Sequence, residues 1–169
     1  MILSYGGKYY NGTTTCGGYS DIMVLDEHLM IKIPDNLPLY AVAPLLCAGI
    51  IVYIPLKYYG LDKAGMHLGV VGLGHMAVKF AKDMGLKVTV KDTSPNIKNE
   101  AVVHLGADAF LLVKGTMDNI IDRISAMHAL LSLTGLLKAN GTLVKVGAPE
   151  KPLELLAFSL LTGKRKQGL

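Results

Sequence analysis

Gly72-Leu73-Gly74-His75-Met76-Ala77 carries the clearest chemistry in the chain. The apolar run Gly69-Val70-Val71 leads into it, and the helix-like Val78-Lys79-Phe80-Ala81-Lys82-Asp83-Met84 leads out. A strand, a turn of small residues and a helix in that order let backbone N–H groups and a helix N-terminus approach a pyrophosphate. The pattern points to a dinucleotide. Asp92 lies twenty residues after Gly72, a spacing at which an acidic side chain takes the ribose hydroxyls of such a cofactor. Cys47 sits in the apolar Leu45-Leu46-Cys47-Ala48-Gly49 and is one of only two cysteines, with Cys16. A thiol in such a run packs by default as a small hydrophobe. Neither His28 nor His67 stands at a recognisable metal-ligand spacing from it. His75 at the helix start reads as a cap neighbour, and Asp118 and Asp122 as two residues on one face of a strand.

The elements that must position these residues need a real core. With 169 residues, 51% of them apolar and 18% charged, the chain suits a globular domain and excludes disorder. A net charge of +4 without a basic stripe excludes nucleic acid as a partner, and Lys164-Arg165-Lys166 reads as a frayed end. Two cysteines exclude a disulfide scaffold or a four-thiolate zinc site. No basic segment followed by an apolar run opens the sequence, so a cytoplasmic location is expected. The segment 37–56 carries no charge and has the length of a membrane span. Pro38, Pro44 and Pro55 divide it, so a buried interdomain helix pair is expected, and no membrane.

Along the chain, the first seventeen residues read as loop, with Asn11-Gly12-Thr13 as a turn. Tyr19 to Val24 and Leu29 to Ile33 read as short strands around Asp26-Glu27-His28. From Leu68 the pattern alternates. Strands are predicted at 68–71, 87–90, 109–113, 119–124 and 143–146, with helices at 75–84, 97–105 and 126–138. Gly106 and Asn140-Gly141 are expected to close the last two helices. Apolar strands separated by helices predict an α/β fold, a parallel sheet covered on both faces.

Several blocks in order carry a family resemblance: Pro44-Leu45-Leu46-Cys47-Ala48-Gly49-Ile50, Pro55-Leu56-Lys57-Tyr58-Tyr59-Gly60, Val70-Val71-Gly72-Leu73-Gly74, His104-Leu105-Gly106-Ala107-Asp108, Gly115-Thr116-Met117-Asp118 and Val146-Gly147-Ala148-Pro149-Glu150-Lys151-Pro152. They closely resemble plant cinnamyl alcohol dehydrogenases and their mannitol-dehydrogenase relatives, within the zinc-containing medium-chain dehydrogenases. The resemblance implies a shortened Rossmann domain, a doubly wound parallel sheet, over residues 61–169. It implies a remnant of the GroES-like catalytic domain over 1–40, and an interdomain helical segment over 41–60.

It also implies the activity: NADP-dependent, zinc-assisted reduction of cinnamaldehydes to cinnamyl alcohols in the phenylpropanoid route to lignin, by a homodimer. A mannitol-dehydrogenase-like NAD enzyme is the alternative, and so is an inactive or merely nucleotide-binding remnant. Cys47 matches one ligand of the family's catalytic zinc, and the other Cys and His ligands would fall upstream of Met1. Gly72, Leu73, Gly74 and Gly147 match the cofactor turn and a close-approach position. Thr93, Ser94 and Lys98 match positions that hold the 2′-phosphate of NADP, whereas Asp92 favours NAD. NADP is preferred, and no catalytic residue is assigned.

The family motif runs Gly-Leu-Gly-Gly-x-Gly-His, so this chain's turn is three residues shorter. The phosphate would lose N–H donors there. Ile51 and Arg123 stand where the family has Thr, and about a helix's worth of residues is missing between Val113 and Gly115. Without the usual dozen residues for a crossover, the strand at 109–113 is expected to pair poorly. These departures predict no bound metal, weakened or absent cofactor binding and no turnover.

Overall fold

The computed structural model describes residues 5–24, 26–72, 74–111, 113–155 and 165–168. The chain divides into two compact units, Met1–Leu39 and Tyr40–Leu169.

In the first unit, β1 (Tyr5–Lys8) and β2 (Thr14–Cys16) pair antiparallel. This corrects the expected loop. The turn between them closes through Tyr9 N–H to the Thr13 carbonyl at 2.9 Å, and the Asn11 carboxamide accepts from Thr13 N–H at 3.1 Å. The two strands expected at Tyr19–Val24 and Leu29–Ile33 do not form among the described residues. Asp26 instead caps a single 3₁₀ turn, Glu27–Leu29, by accepting from His28 N–H. Ile22, Val24 and Ile31 stay exposed, so their alternation has nothing to bury against.

The second unit opens on a continuous helix: α1 (Leu39–Pro44), a π-turn (Leu45–Gly49) and α2 (Ile50–Tyr58). A buried pair of helices was expected, and the structure corrects it to one largely exposed rod. A π-turn begins directly after Pro44, whose missing N–H already removes one helical hydrogen bond. Tyr53 meets Phe80 edge-on at 5.5 Å between centroids. At 20 residues with mean hydropathy 2.2, this helix is long and apolar enough to cross a bilayer by length and composition alone.

Six strands follow in a parallel sheet: β3 (His67–Val71), β4 (Lys87–Lys91), β5 (Ala109–Phe110), β6 (Met117–Asp122), β7 (Leu137–Lys145) and β8 (Arg165–Gly168). Their spatial order is β5-β4-β3-β6-β7-β8, the doubly wound order in which the chain reverses direction across the sheet between β3 and β6. The predicted α/β Rossmann fold is present. Arg165 and Lys166, expected to fray, belong to β8, which pairs with Thr142–Lys145 as the sheet's edge; Lys164 lies outside the described residues.

One face of the sheet is thickly covered. Leu68 and Val70 of β3, Val88 and Val90 of β4, and Ile121 of β6 pack against Val52 and Leu56 of α2, and against Ala77, Val78 and Ala81 of α3 (His75–Asp83). The spacing of the α3 residues puts them on one stripe. Ala101 adds the segment formed by α4 (Pro95–Asn99) and a π-turn, Glu100–His104, which Gly106 terminates at φ +74° as expected. The other face carries a smaller core of Val71, Ile120, Leu133, Leu136, Leu137 and Leu143, with Met117, under the single short helix α5 (Leu130–Thr134).

Two departures from the expected elements explain that asymmetry. The helix predicted over 126–138 is cut to five residues, because Gly135 and Leu136 turn the chain and Leu137 already pairs with Met117. Asn140, at φ +64°, and Gly141 then form a bulge inside β7 instead of a helix stop. The strand predicted at 109–113 shrinks to Ala109–Phe110 while still pairing with Thr89 and Val90. From there residues 111–116 must pass β4 and β3, a lateral distance of about 14 Å. Seven peptide steps reach about 24 Å when extended, which leaves no room for a covering helix. Leu111 takes φ +90°, so backbone strain sits where the crossover was shortened.

Candidate functional site

Parallel ladders end in a row of backbone hydrogen bonds that brings four loops together at the carboxyl edge of the sheet. Gly72 N–H donates to the Lys91 carbonyl at 2.9 Å, and Arg123 N–H to the Val71 carbonyl at 3.0 Å. Val146 and Gly147 N–H both reach the Asp122 carbonyl, at 2.8 and 3.1 Å. Gly72, Asp92, Arg123 and Gly147 therefore follow directly from the ends of neighbouring strands. Ligands of doubly wound sheets bind in this crevice.

The glycine turn is built for close approach. Gly72 takes φ +80°, which a side chain disfavours. Gly74 is the N-cap of α3 and supplies no side-chain cap, so the first helical N–H groups have no intrahelical partner. A Cβ at Gly74 would stand 3.1 Å from Cδ and Nη1 of Arg123 and from Cγ1 of Val70. Arg123 and Val70 already take that space, which favours glycine at this position. Unpartnered helix N–H groups with a guanidinium beside them suit an anionic phosphate. Leu73 lies outside the described residues.

Gly147 has a different reason. A Cβ there would meet the backbone carbonyl oxygens of Ile124 and Arg123 at 2.5 and 2.6 Å. Its close approach is to the chain itself.

The residues assigned to the ribose end gather after β4. Oδ1 of Asp92 accepts from Ser94 N–H at 2.9 Å, closing the loop that leads into α4. Thr93 is exposed, Ser94 half-buried, and Lys98 exposed on α4. His75 reaches Glu100 at 3.2 Å, joining the start of α3 to the segment after α4.

Past β6, the buried carboxylate of Asp122 holds three groups. Its Oδ1 accepts from Ile124 N–H at 3.1 Å, and its Oδ2 lies 2.8 Å from His128 Nε2 and 3.3 Å from Lys145 Nζ. Lys145 also donates to the Ile124 carbonyl. This cluster braces the loop that, with Ala148, Glu150 and Lys151, lines a cavity of ≈ 400 Å³ at Ser125, Ala126 and Met127. The sequence pattern did not mark this cluster, and it treated Arg123 only as a departure from the family. The available signal was position: Arg123 follows the strand beside β3.

Cys47 is exposed in the π-turn, where the default expectation was a buried thiol. Among the described residues no three His, Cys, Asp or Glu side chains gather to hold a metal ion. The described residues therefore do not fit a zinc centre, and no chemistry is derived through one.

A parallel sheet in this order, with a glycine turn and an uncapped helix at its switch point, defines a domain of the Rossmann class. A family profile described as zinc-binding dehydrogenase matches residues 72–168, beginning at the glycine turn. This chain belongs to that family. It is 63% identical to a probable mannitol dehydrogenase of Fragaria ananassa over 177 positions, covering 98% of this chain and 49% of the relative. That stretch exceeds the chain's own 169 residues, so the chain lacks residues its relative has.

Among solved structures, a cinnamyl alcohol dehydrogenase of Sorghum bicolor matches with a TM-score of 0.91 at 47% identity, covering 99% of this chain and 52% of that one. A cinnamyl alcohol dehydrogenase of Helicobacter pylori, complexed with NADP(H), matches at 0.86 and 36%, covering 98% and 51%. The chain spans about half the length of the relatives it matches.

Proposed function

We propose that this chain binds NADP(H), as the nucleotide half of an oxidoreductase that interconverts cinnamyl-type alcohols and aldehydes. The observation that carries the reading is the glycine turn whose Gly74 packs under Arg123, at the uncapped start of α3 and beside β6. The pyrophosphate lies against that turn, while Thr93, Ser94 and Lys98 hold the 2′-phosphate. Asp92 accepts from Ser94 N–H through Oδ1, so it also shapes the loop that carries Ser94. The NADP(H) complex of the Helicobacter pylori relative supports the choice of cofactor. When bound, the nicotinamide supplies or accepts the hydride. The loop at Ser125–Met127 walls the cavity beside it. Cys47 is this chain's one match to the family's zinc ligands, so we assign it no role in turnover by these residues alone.

Titration of the purified chain with NADPH and NADH, read by nicotinamide fluorescence, tests this. The chain has no Trp to interfere. NADPH should bind at least about tenfold more tightly than NADH, a difference near 1.4 kcal/mol. Tighter NADH would return the selection to Asp92, and binding of neither would end the reading. Zinc content should fall well below equimolar, and coniferaldehyde should not be reduced by this chain alone. Equimolar zinc with turnover would show a complete enzyme.

A further inference from the structure

Arg123 stands at an unusual place for a long cation. It follows β6 directly, its backbone N–H is tied to Val71 at 3.0 Å, and its Cδ and Nη1 fill the space a Gly74 side chain would need. It is half-buried, so its guanidinium is positioned by packing and is not a freely swinging surface charge. The glycine turn beside it is shortened, and Gly72 N–H is already used by the Lys91 carbonyl. Gly72 N–H is therefore not available to a phosphate at this turn, which leaves the start of α3 to supply backbone donors.

We propose that Arg123 is the pyrophosphate-binding cation of this site, its guanidinium gripping the dinucleotide pyrophosphate at Gly74 in place of N–H donors the shortened turn does not provide. The inference rests on the NADP(H) reading. Guanidinium is suited to the task because its planar donors match phosphate oxygens and it stays charged at any working pH. It also fixes a direction: the pyrophosphate lies between α3 and the end of β6, so the nicotinamide is directed along the post-β6 loop toward Ser125 and Ala148.

The test compares wild type with Arg123→Thr and Arg123→Lys, all checked for native circular dichroism. NADPH is followed by its fluorescence. Adenosine 2′-monophosphate, which has no pyrophosphate, is followed by calorimetry. Arg123→Thr should weaken NADPH binding about tenfold and flatten its salt dependence, with Arg123→Lys between. Adenosine 2′-monophosphate should bind all three proteins equally. Unchanged or tighter NADPH binding by Arg123→Thr would overturn the proposal while leaving the dinucleotide site standing. An equal loss for adenosine 2′-monophosphate would overturn it too, by tracing the effect to the fold. Wild type that binds neither probe would remove the NADP(H) reading itself, and this inference with it.

Discussion

The two faces of the sheet are held by different chemistry. On one, α2, α3 and the α4 segment bury a continuous apolar layer across β3, β4, β6 and β7. On the other, α5 covers a smaller apolar patch, and polar pairs run beside it. His67 Nε2 meets Thr89 Oγ1 at 2.7 Å, Lys138 Nζ meets Asp118 at 2.7 Å, and Asp122 joins His128 and Lys145. The second face is also the one over which the β5–β6 crossover has no helix. Losing a covering helix leaves strands that apolar contact alone cannot bury. Directional bonds, which need partners and not a matching surface, do more of the holding there.

The largest effect that could break this contrast lies at Asp122. Its side chain is fully buried, so Asp122→Ala removes the one carboxylate that Lys145, His128 and Ile124 N–H share. The expected loss is about 3 kcal/mol by urea unfolding. Asp122→Asn, which keeps an acceptor for Ile124 N–H, should lose less. A loss for the alanine variant below about 1 kcal/mol, the net worth of one ordinary hydrogen bond, would mean that the polar pairs are incidental.

Next in size is a matched pair of cavities. Leu68 on the thick face and Leu133 on the thin one are both almost completely buried. Leu68→Ala should cost about 4 kcal/mol and Leu133→Ala about 2 kcal/mol, the spread seen when sites differ in how far they can collapse. Leu68 belongs to the larger cluster, which α2 and α3 help to build, whereas α5 is five residues long and can settle. Equal costs, with unchanged denaturant slopes, would show that both faces are packed alike.

How much of this was legible follows the same divide. The β3–α3–β4 unit could be read because its apolar run, glycine turn and helical stripe are local signals that agree. Gly106 likewise declared its left-handed turn. The thin face was misread where Leu130, Leu131, Leu133, Leu136 and Leu137 keep a helix-like spacing. Gly135 and the pairing of Leu137 with Met117 override that spacing, and no local signal marks a long-range pairing. Site residues divide in the same way. Gly72, Gly74 and Asp92 came from spacing within one unit. Arg123 lies about fifty residues from Gly74 in sequence and joins it only because the strand order puts β6 beside β3.

The smallest expected effect concerns acid. Burial, with the nearby Lys87 adding to it, pushes the His67 imidazole below its ordinary value of 6.5, against the pull of the Thr116 backbone and Asp118. The unfolded chain then binds that proton before the folded one does. This part of the stability is complete above pH 6.5 and falls as the pH drops from there through the folded value. Asp118 and Asp108 behave differently. Burial raises each, but hydrogen bonds outweigh it and hold both below 3.8: from Lys138 and His67 N–H to Asp118, and from Lys82 and Val88 N–H to Asp108. Their contribution is present above 3.8 and is lost only below it. Between about pH 7 and pH 5 the thin face should therefore weaken first, through His67. Urea midpoints across that range should fall less steeply for His67→Gln, which cannot take up the proton, than for wild type. Parallel slopes would leave His67 without a share in the acid sensitivity of this face.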